Sequence, residues 1–275
     1  MAYCGDDGLA QSFTDGSGLA ELPHEIHRDL LARFTDFDYG DASIDGWSSM
    51  DTDRSGWTCH WWTLEPVELK KVLEQIQYEG CFIFLPKTEG GGGRYIHVED
   101  EYEATDIKQI FDENDYSSLR LSTTDLGELA TSHQYNYQRH PATDQYIQTT
   151  EYSNSTERTN WGIGTNGNKT QRNLDFITAD VVYNVLSHSD PNDCVALYYN
   201  NIVSKPKIIV EFDLINLVKS DIQVGDIITF NDSDLTPFGK TWGSGDNSLF
   251  FMVIETRREL GSINIKAREV YDNLS

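Results

Sequence analysis

The chain has 275 residues, with 45 acidic side chains against 21 Lys and Arg and a formal net charge of −24. That balance excludes nucleic-acid binding through a basic face, which needs clustered cations against phosphate, and docking on an anionic membrane. With 38% hydrophobic and 12% aromatic residues it is a folding composition rather than a disordered one. No run approaches the ~18 to 20 apolar residues of a membrane span. The opening Met1-Ala2-Tyr3-Cys4-Gly5-Asp6-Asp7 lacks the basic and apolar stretches of a signal peptide.

Two helices are legible early in the chain. Pro23 to Phe34 places Ile26, Leu30 and Phe34 on one stripe, with proline in the first turn. Pro66 to Glu79 sets Leu69, Val72, Leu73 and Ile76 at i, i+3, i+4, i+7, and Gly80 suits a left-handed cap. Cys81 to Pro86 then reads as a short strand, Glu89 to Gly93 as a glycine-rich turn, and Arg94 to Val98 as the returning strand of a hairpin.

Residues 131–152 read as a second hairpin with Tyr135, Tyr137, Tyr146, Ile147 and Tyr152 at apolar positions and His140-Pro141 in its turn. The polar, glycine-rich stretch 153–173 is expected to be a linker or long loop. A helix is expected from Phe176 to Ser187. The remainder is β: Ile208 to Leu214 alternates, Val224-Gly225-Asp226 opens a strand through Phe230, and Leu249 to Thr256 is buried. A turn at Glu259-Leu260-Gly261-Ser262 leads into Ile263 to Arg268, with Ile263, Ile265 and Ala267 facing inward. A closed or half-closed antiparallel barrel is the natural solution for these strands. The chain is therefore expected to be α+β: a mixed part with short helices and hairpins over 1–152, a linker over 153–173, and a helix plus barrel-like part over 174–275.

Candidate chemistry is sparse. His24 and His27 form HxxH on a helix, without the i, i+4 spacing of zinc helices, and are expected as surface histidines. Asp51-Thr52-Asp53-Arg54-Ser55-Gly56 resembles half a calcium loop, but its twelfth position is Trp62 where a bidentate glutamate is required. A polar turn is the expectation there. Trp57, Trp61 and Trp62 suggest a strand with one buried face, or alternatively a sugar-stacking platform. Gly90 to Gly93 lacks the Lys-Ser/Thr ending of a phosphate loop. Cys4, Cys59, Cys81 and Cys194 have no metal-ligand spacing and are too few for a disulfide scaffold, so thiols in a reducing compartment are expected. No catalytic, cofactor-binding or metal-binding residue is assigned, and none of the spacings forms a triad.

Charge is uneven. Residues 1–60 hold 12 acidic and 3 basic side chains, residues 99–115 hold 8 and 1, and residues 201–275 hold 11 and 8. The runs Asp36 to Asp41 and Glu99 to Asp106 are the densest, and read as solvated loops.

The order of these features resembles the tail hub, or baseplate hub, proteins of tailed bacteriophages. The stretch Leu22 to Phe34 is similar to their Leu-Leu helix, Leu69 to Leu85 to their helix-then-strand unit, and Tyr135-Asn136-Tyr137 with His140-Pro141-Ala142-Thr143 and Tyr146 to their tyrosine hairpin. The last part matches most: Lys205-Pro206-Lys207 before Val210-Glu211-Phe212, then Gly225-Asp226-Ile227-Ile228, Val253-Ile254-Glu255 and Ala267-Arg268-Glu269-Val270. The resemblance implies a non-enzymatic virion protein without cofactors, assembling as a homo-oligomer, a trimer, at the tail tip. Its barrels would form a ring continuing the tail tube, in contact with tube, spike or fibre proteins. An acidic lining suits such a conduit, because it repels DNA and lets it slide. The alternative from the residues alone is a calcium-dependent or carbohydrate-binding adhesion module built on Asp51 to Gly56 and the three tryptophans. A hydrolase acting on cell-wall polymer is a third reading, without an identifiable nucleophile.

Overall fold

A computed structural model describes residues 2–3, 20, 22–35, 44–59, 61–62, 66–86, 93–99, 102, 104–140, 142–162, 171–178, 202–231, 241–242, 248–259 and 262–270. Its helices are α1 (Pro23–Phe34), α2 (Trp47–Asp53), α3 (Leu69–Glu79) and α4 (Ser155–Asn160). Strands in the first part are β1 (Ala2–Tyr3), β2 (Trp61–Trp62), β3 (Phe82–Pro86), β4 (Gly93–His97), β5 (Ile107–Phe111), β6 (Tyr116–Thr123), β7 (Ser132–Arg139), β8 (Tyr146–Ser153) and β9 (Gln171–Asp175). Later strands are β10 (Ile208–Leu214), β11 (Ile227–Phe230), β12 (Thr241–Trp242), β13 (Ser248–Leu249), β14 (Phe251–Glu259) and β15 (Ser262–Glu269). The protein is α+β, as expected. It divides into two compact units, each gathered from two stretches of chain: Met1–Val98 with Ala130–Lys205, and Glu99–Leu129 with Pro206–Ser275.

The second unit is a curled six-stranded sheet in the order β5-β11-β14-β15-β10-β6. Its outermost strands, β5 and β6, are neighbours in sequence, joined only by Asp112 to Asp115. Five Cα steps reach at most about 18 Å, whereas six flat strands at the usual spacing span about 24 Å from edge to edge. The sheet must therefore bend until its edges approach, which makes a half-barrel. Three register shifts assist the bend: between Ile227 and Ile228 against β5, between Glu211 and Asp213 against β6, and between Val253 and Glu255 against β15. At the second of these, Ser118 takes a left-handed φ of 56°. One pairing departs from the antiparallel expectation: β5 runs parallel to β11.

Alternation then decides what fills the curl. Val210, Phe212, Ile265 and Ala267 point inward and are buried, together with Phe111, Phe230, Phe251 and Val253. The outward positions form a cross-strand row, Arg120 opposite Glu211, Glu211 opposite Lys266, and Lys266 opposite Glu255. Signs alternate along that row, which favours this register over its neighbours. Gly225, at φ 91°, and Asp226 make the turn before β11: the Asp226 N–H donates to the Gln223 carbonyl, and its carboxylate accepts the Gln223 N–H.

Asp115 ties the β5–β6 connection to the end of β10. Its carboxylate accepts from the Asp112 N–H, the Asn216 amide and the Lys219 ammonium. Its carbonyl accepts the N–H groups of Ile215 and Asn216. Lys219 also donates to the Ile110 carbonyl at 2.6 Å.

In the first unit, α1 and α3 pack with the β3–β4 hairpin around Ile26, Leu30, Met50, Val72, Ile76, Phe82 and Tyr95. The helix α3 begins at Leu69, so Pro66 lies before it, and its cap Gly80 has a right-handed φ of −81°. The left-handed position falls one residue later, on Cys81 at φ 52°. Gly80 is needed for space instead: a Cβ there would lie 2.7 Å from the Phe82 ring and 2.9 Å from Pro23. Phe34, placed on the apolar stripe of α1 by its spacing, is exposed at the helix end. The stretch 153–173, expected to be a linker, holds α4, capped by the Asn154 side chain, and the first residues of β9. Of the helix expected over 176–187, residues 179–187 lie outside the described residues. Phe176 is buried, and the N–H groups of Ile177 and Thr178 donate to the Glu79 carboxylate.

Replacing Asp115 with Ala is expected to destabilise the fold by about 3 kcal/mol, since it leaves donors of the buried turn without their acceptor. Burial pushes this carboxyl up, but the Lys219 ammonium, the Asp112 N–H and the Asn216 amide outweigh it and hold the group below its ordinary value. Its contribution is thus present at neutral pH and lost as pH falls through that lowered value. Urea unfolding of wild type and variant at pH 7 measures the loss; equal stabilities would refute the assignment. Val218→Ala, at a residue 89% exposed, is expected to change stability by no more than about 0.5 kcal/mol.

Candidate interaction surface

His24 and His27 are not surface groups. The helix α1 is buried nearly all round, and both imidazoles lie in the core of the first unit. His27 Nδ1 is 3.0 Å from the Tyr95 hydroxyl and its ring stands edge-on to Phe82. His24 Nε2 lies 3.4 Å from Asp51 Oδ1, and its ring meets Trp47 edge-on. Asp53 accepts from His97 Nε2 at 2.8 Å. Burial pushes His27 down to about 3 and His97 down to about 4, and lowers His24 against the pull of Asp51. Neutral imidazoles are what such a core requires.

Asp51 to Gly56 is therefore not a calcium loop. Asp51 and Asp53 belong to α2, and their carboxylates face imidazoles. Arg54, fully buried, donates to the carbonyls of Gly80 and Val98 and stacks over Trp57 at 4.3 Å. It thereby gathers the ends of α3 and β4 onto α2. Trp57 is 2% exposed, so it offers no platform to a sugar, and it stands outside the strand that holds Trp61 and Trp62. Among the described residues, no three His, Cys, Asp or Glu side chains are arranged to hold a metal ion. Cys59 is buried and Cys81 half-buried; Cys4 and Cys194 lie outside the described residues.

The acidic run Asp36 to Asp41 also lies outside them, as do Gly90 to Gly92. Within Glu99 to Asp106, the run is anchored rather than wholly solvated: Tyr102 is buried, and its hydroxyl accepts the Glu99 N–H at 2.9 Å. Ala104, Thr105 and Asp106 are exposed.

What remains as surface with a pattern is the tyrosine hairpin. The strands β7 and β8 pair antiparallel without a register shift, interrupted at left-handed Gln138 (φ 54°), and β9 adds parallel to β7. One face carries Tyr135 and Leu174, both buried, with Phe176 beside Tyr135. The other carries a polar chain, Thr149 hydroxyl to Asn136 and Asn136 amide to Asp175. Along β8, Ile147, Gln148 and Thr149 are exposed. In the second unit, Ile215, Leu217 and Val218 expose apolar side chains beside the Asp115 network, a feature that the sequence reading does not single out. Its signal was three apolar residues, Ile215, Leu217 and Val218, close together with no alternation to bury them.

No known family profile matches the chain, and no curated protein sequence matches it. Solved structures of similar fold do. A chain of the virion of the native gene transfer agent particle aligns with 94% of this chain at 10% identity and a TM-score of 0.51. This chain spans about half the length of that one, 49%. The tail protein from Neisseria meningitidis MC58 aligns with 92% of this chain and 68% of its own at 8% identity and a TM-score of 0.44. The 43 kDa tail protein of prophage MuSo2 from Shewanella oneidensis aligns with 91% and 66% at 9% identity and 0.39. The likeness is one of fold.

The buried histidines predict an acid limit. The unfolded chain protonates them near pH 6.5, the folded unit only near the lowered values, so stability is lost as pH falls below about 6.5. Each contributes a slope of about 1.4 kcal/mol per pH unit between its two values. His97→Gln is expected to make the fall between pH 7 and pH 5 shallower by one proton. Chemical denaturation at a series of pH values checks this, and an unchanged slope counts against it.

Proposed function

We propose that this chain is a structural, non-enzymatic subunit of a phage tail tip: a hub protein whose copies stand in a ring around the path of DNA. The observation that supports the reading is the half-barrel of the second unit. Two motifs of the hub resemblance that fall in this unit have structural tasks there. Gly225-Asp226 makes the turn into β11. Ala267 fills the interior, and Glu269 Oε2 accepts the N–H of Ile208 where β10 begins. The likeness of fold to a virion chain agrees with it.

The half-barrel is packed by Phe111, Phe212, Phe230 and Phe251, so it works as a piece of wall. Any conduit runs between copies, and a net charge of −24 repels DNA from that wall. On this reading the partners are further copies in three-fold symmetry and tube, spike or fibre proteins, the location is the virion, and neither sequence-specific DNA binding nor membrane insertion is part of the role. Among the described residues no helix is long and apolar enough to cross a membrane.

Light scattering of the purified protein is expected to give three copies or a multiple of three. Peptide mass spectrometry and electron microscopy of the source particle are expected to place it at the tail tip. A protein that stays monomeric and is absent from particles would overturn the reading. Duplex DNA at low salt is expected not to be retained, whereas retention would refute the repelling wall.

A further inference from the structure

Sheet edges expose unpaired N–H and C=O groups, and natural proteins protect them. In this protein such protections are seen on the edges of β3, β4, β5, β6 and β9. On β3, the Phe84 N–H donates to the Gln77 side chain at 2.9 Å, and Pro86 ends the strand without a donor. On β4, the Tyr95 N–H donates to the Asp45 carbonyl. The edge of β5 is irregular and its Ile110 carbonyl takes the Lys219 ammonium. A shift with left-handed Ser118 breaks β6. The five-residue β9 carries Arg172 and Asp175.

The strand β8 has none of these devices over Tyr146-Ile147-Gln148-Thr149-Thr150. That stretch holds no charge, no proline and no glycine, has no register shift against β7 although left-handed Gln138 interrupts the ladder opposite Ile147, and is rich in residues that favour strands. Its backbone makes no hydrogen bond beyond the ladder with β7.

We propose that this edge pairs with the same edge of a second copy, antiparallel about a two-fold axis at Gln148. The argument for a second copy is electrostatic. Copies of a chain with net charge −24 repel one another broadly, and the Tyr146–Thr150 segment can meet its own image without bringing charges together. Only a register in which a residue faces one of the same parity keeps the two faces continuous and aligns outward N–H with outward C=O. Centred on Gln148, it sets Ile147 against Thr149 and Tyr146 against Thr150, pairs of strand-favouring side chains. The contact extends the sheet β8-β7-β9 into one of six strands across two copies. It does not rest on the tail-tip reading.

Two variants of the full chain test it. Gln148→Lys would place two ammonium groups opposite each other, so the mass of the assembly by light scattering is expected to halve across a concentration series while the circular dichroism spectrum is unchanged. Gln148→Cys would set two Cα atoms about 5 Å apart, within disulfide reach. Diamide is expected to yield a peptide cross-linked to itself through residue 148. Thr149→Cys, facing Ile147, is expected not to link to itself. An assembly whose mass Gln148→Lys leaves intact, or a Gln148→Cys protein that forms no such cross-link, overturns the proposal. A tail-tip reading that fails would instead show in masses that are not multiples of three, whatever these variants do.

Discussion

A connection of four residues, Asp112 to Asp115, governs the second unit. It joins the two strands that lie at opposite margins of a six-stranded sheet, and chain of that length cannot cross a flat sheet. Curvature is thus imposed by connectivity before any side chain is considered. The side chains then make it stable. Three register shifts supply extra twist, four phenylalanines fill the concave side, and Asp115 with Lys219 holds the margin at the end of β10. Side chains from every strand of the curled sheet meet in this interior.

In the first unit the organising fact is a core made partly of charge. Arg28 lies over Trp47, Arg54 over Trp57, His97 against Asp53 and Arg33 against Asp29. Each ion meets a ring, a carboxylate or a carbonyl, so the desolvation cost of burying it is offset locally. Such a core fixes partners by geometry, where an apolar one would fix only volume. It also converts burial into sensitivity to acid, since the imidazoles are held neutral.

The legibility of this fold in its sequence follows from that contrast. Period-two alternation made β10 and β15 readable, a glycine turn between apolar runs made the β3–β4 hairpin readable, and tyrosines on alternate positions revealed β7 and β8. The stripe of α3 was equally plain. Sequence could not show that α1 is buried all round, because His24, Glu25, Arg28 and Asp29 follow an amphipathic pattern unless their partners on α2 and β4 are known. The same lack of partners made Asp51 and Asp53 resemble cation ligands, when their carboxylates face His24 and His97. Strands β5 and β6 carry short, mixed patterns, and their partners lie roughly a hundred residues away on β11 and β10. The surface of β8 was visible as an aromatic hairpin, but the openness of its edge shows only beside the protected edges of β3, β4, β5, β6 and β9.

Strand-rich proteins of high charge meet two opposing demands. Repulsion keeps copies apart in solution, while assembly requires that they meet in a defined way. The outward-facing row Arg120, Glu211, Lys266 and Glu255 shows one resolution, in which charge is spent within the sheet to fix register and little is left over to attract a partner. The protected margins of β3, β5 and β6 show another, in which the backbone itself is denied to strangers. Together these devices narrow the places where a neighbour can be accepted to surfaces that lack both charge and protection. On the reading proposed above, such gaps in the defences are where specificity of assembly resides.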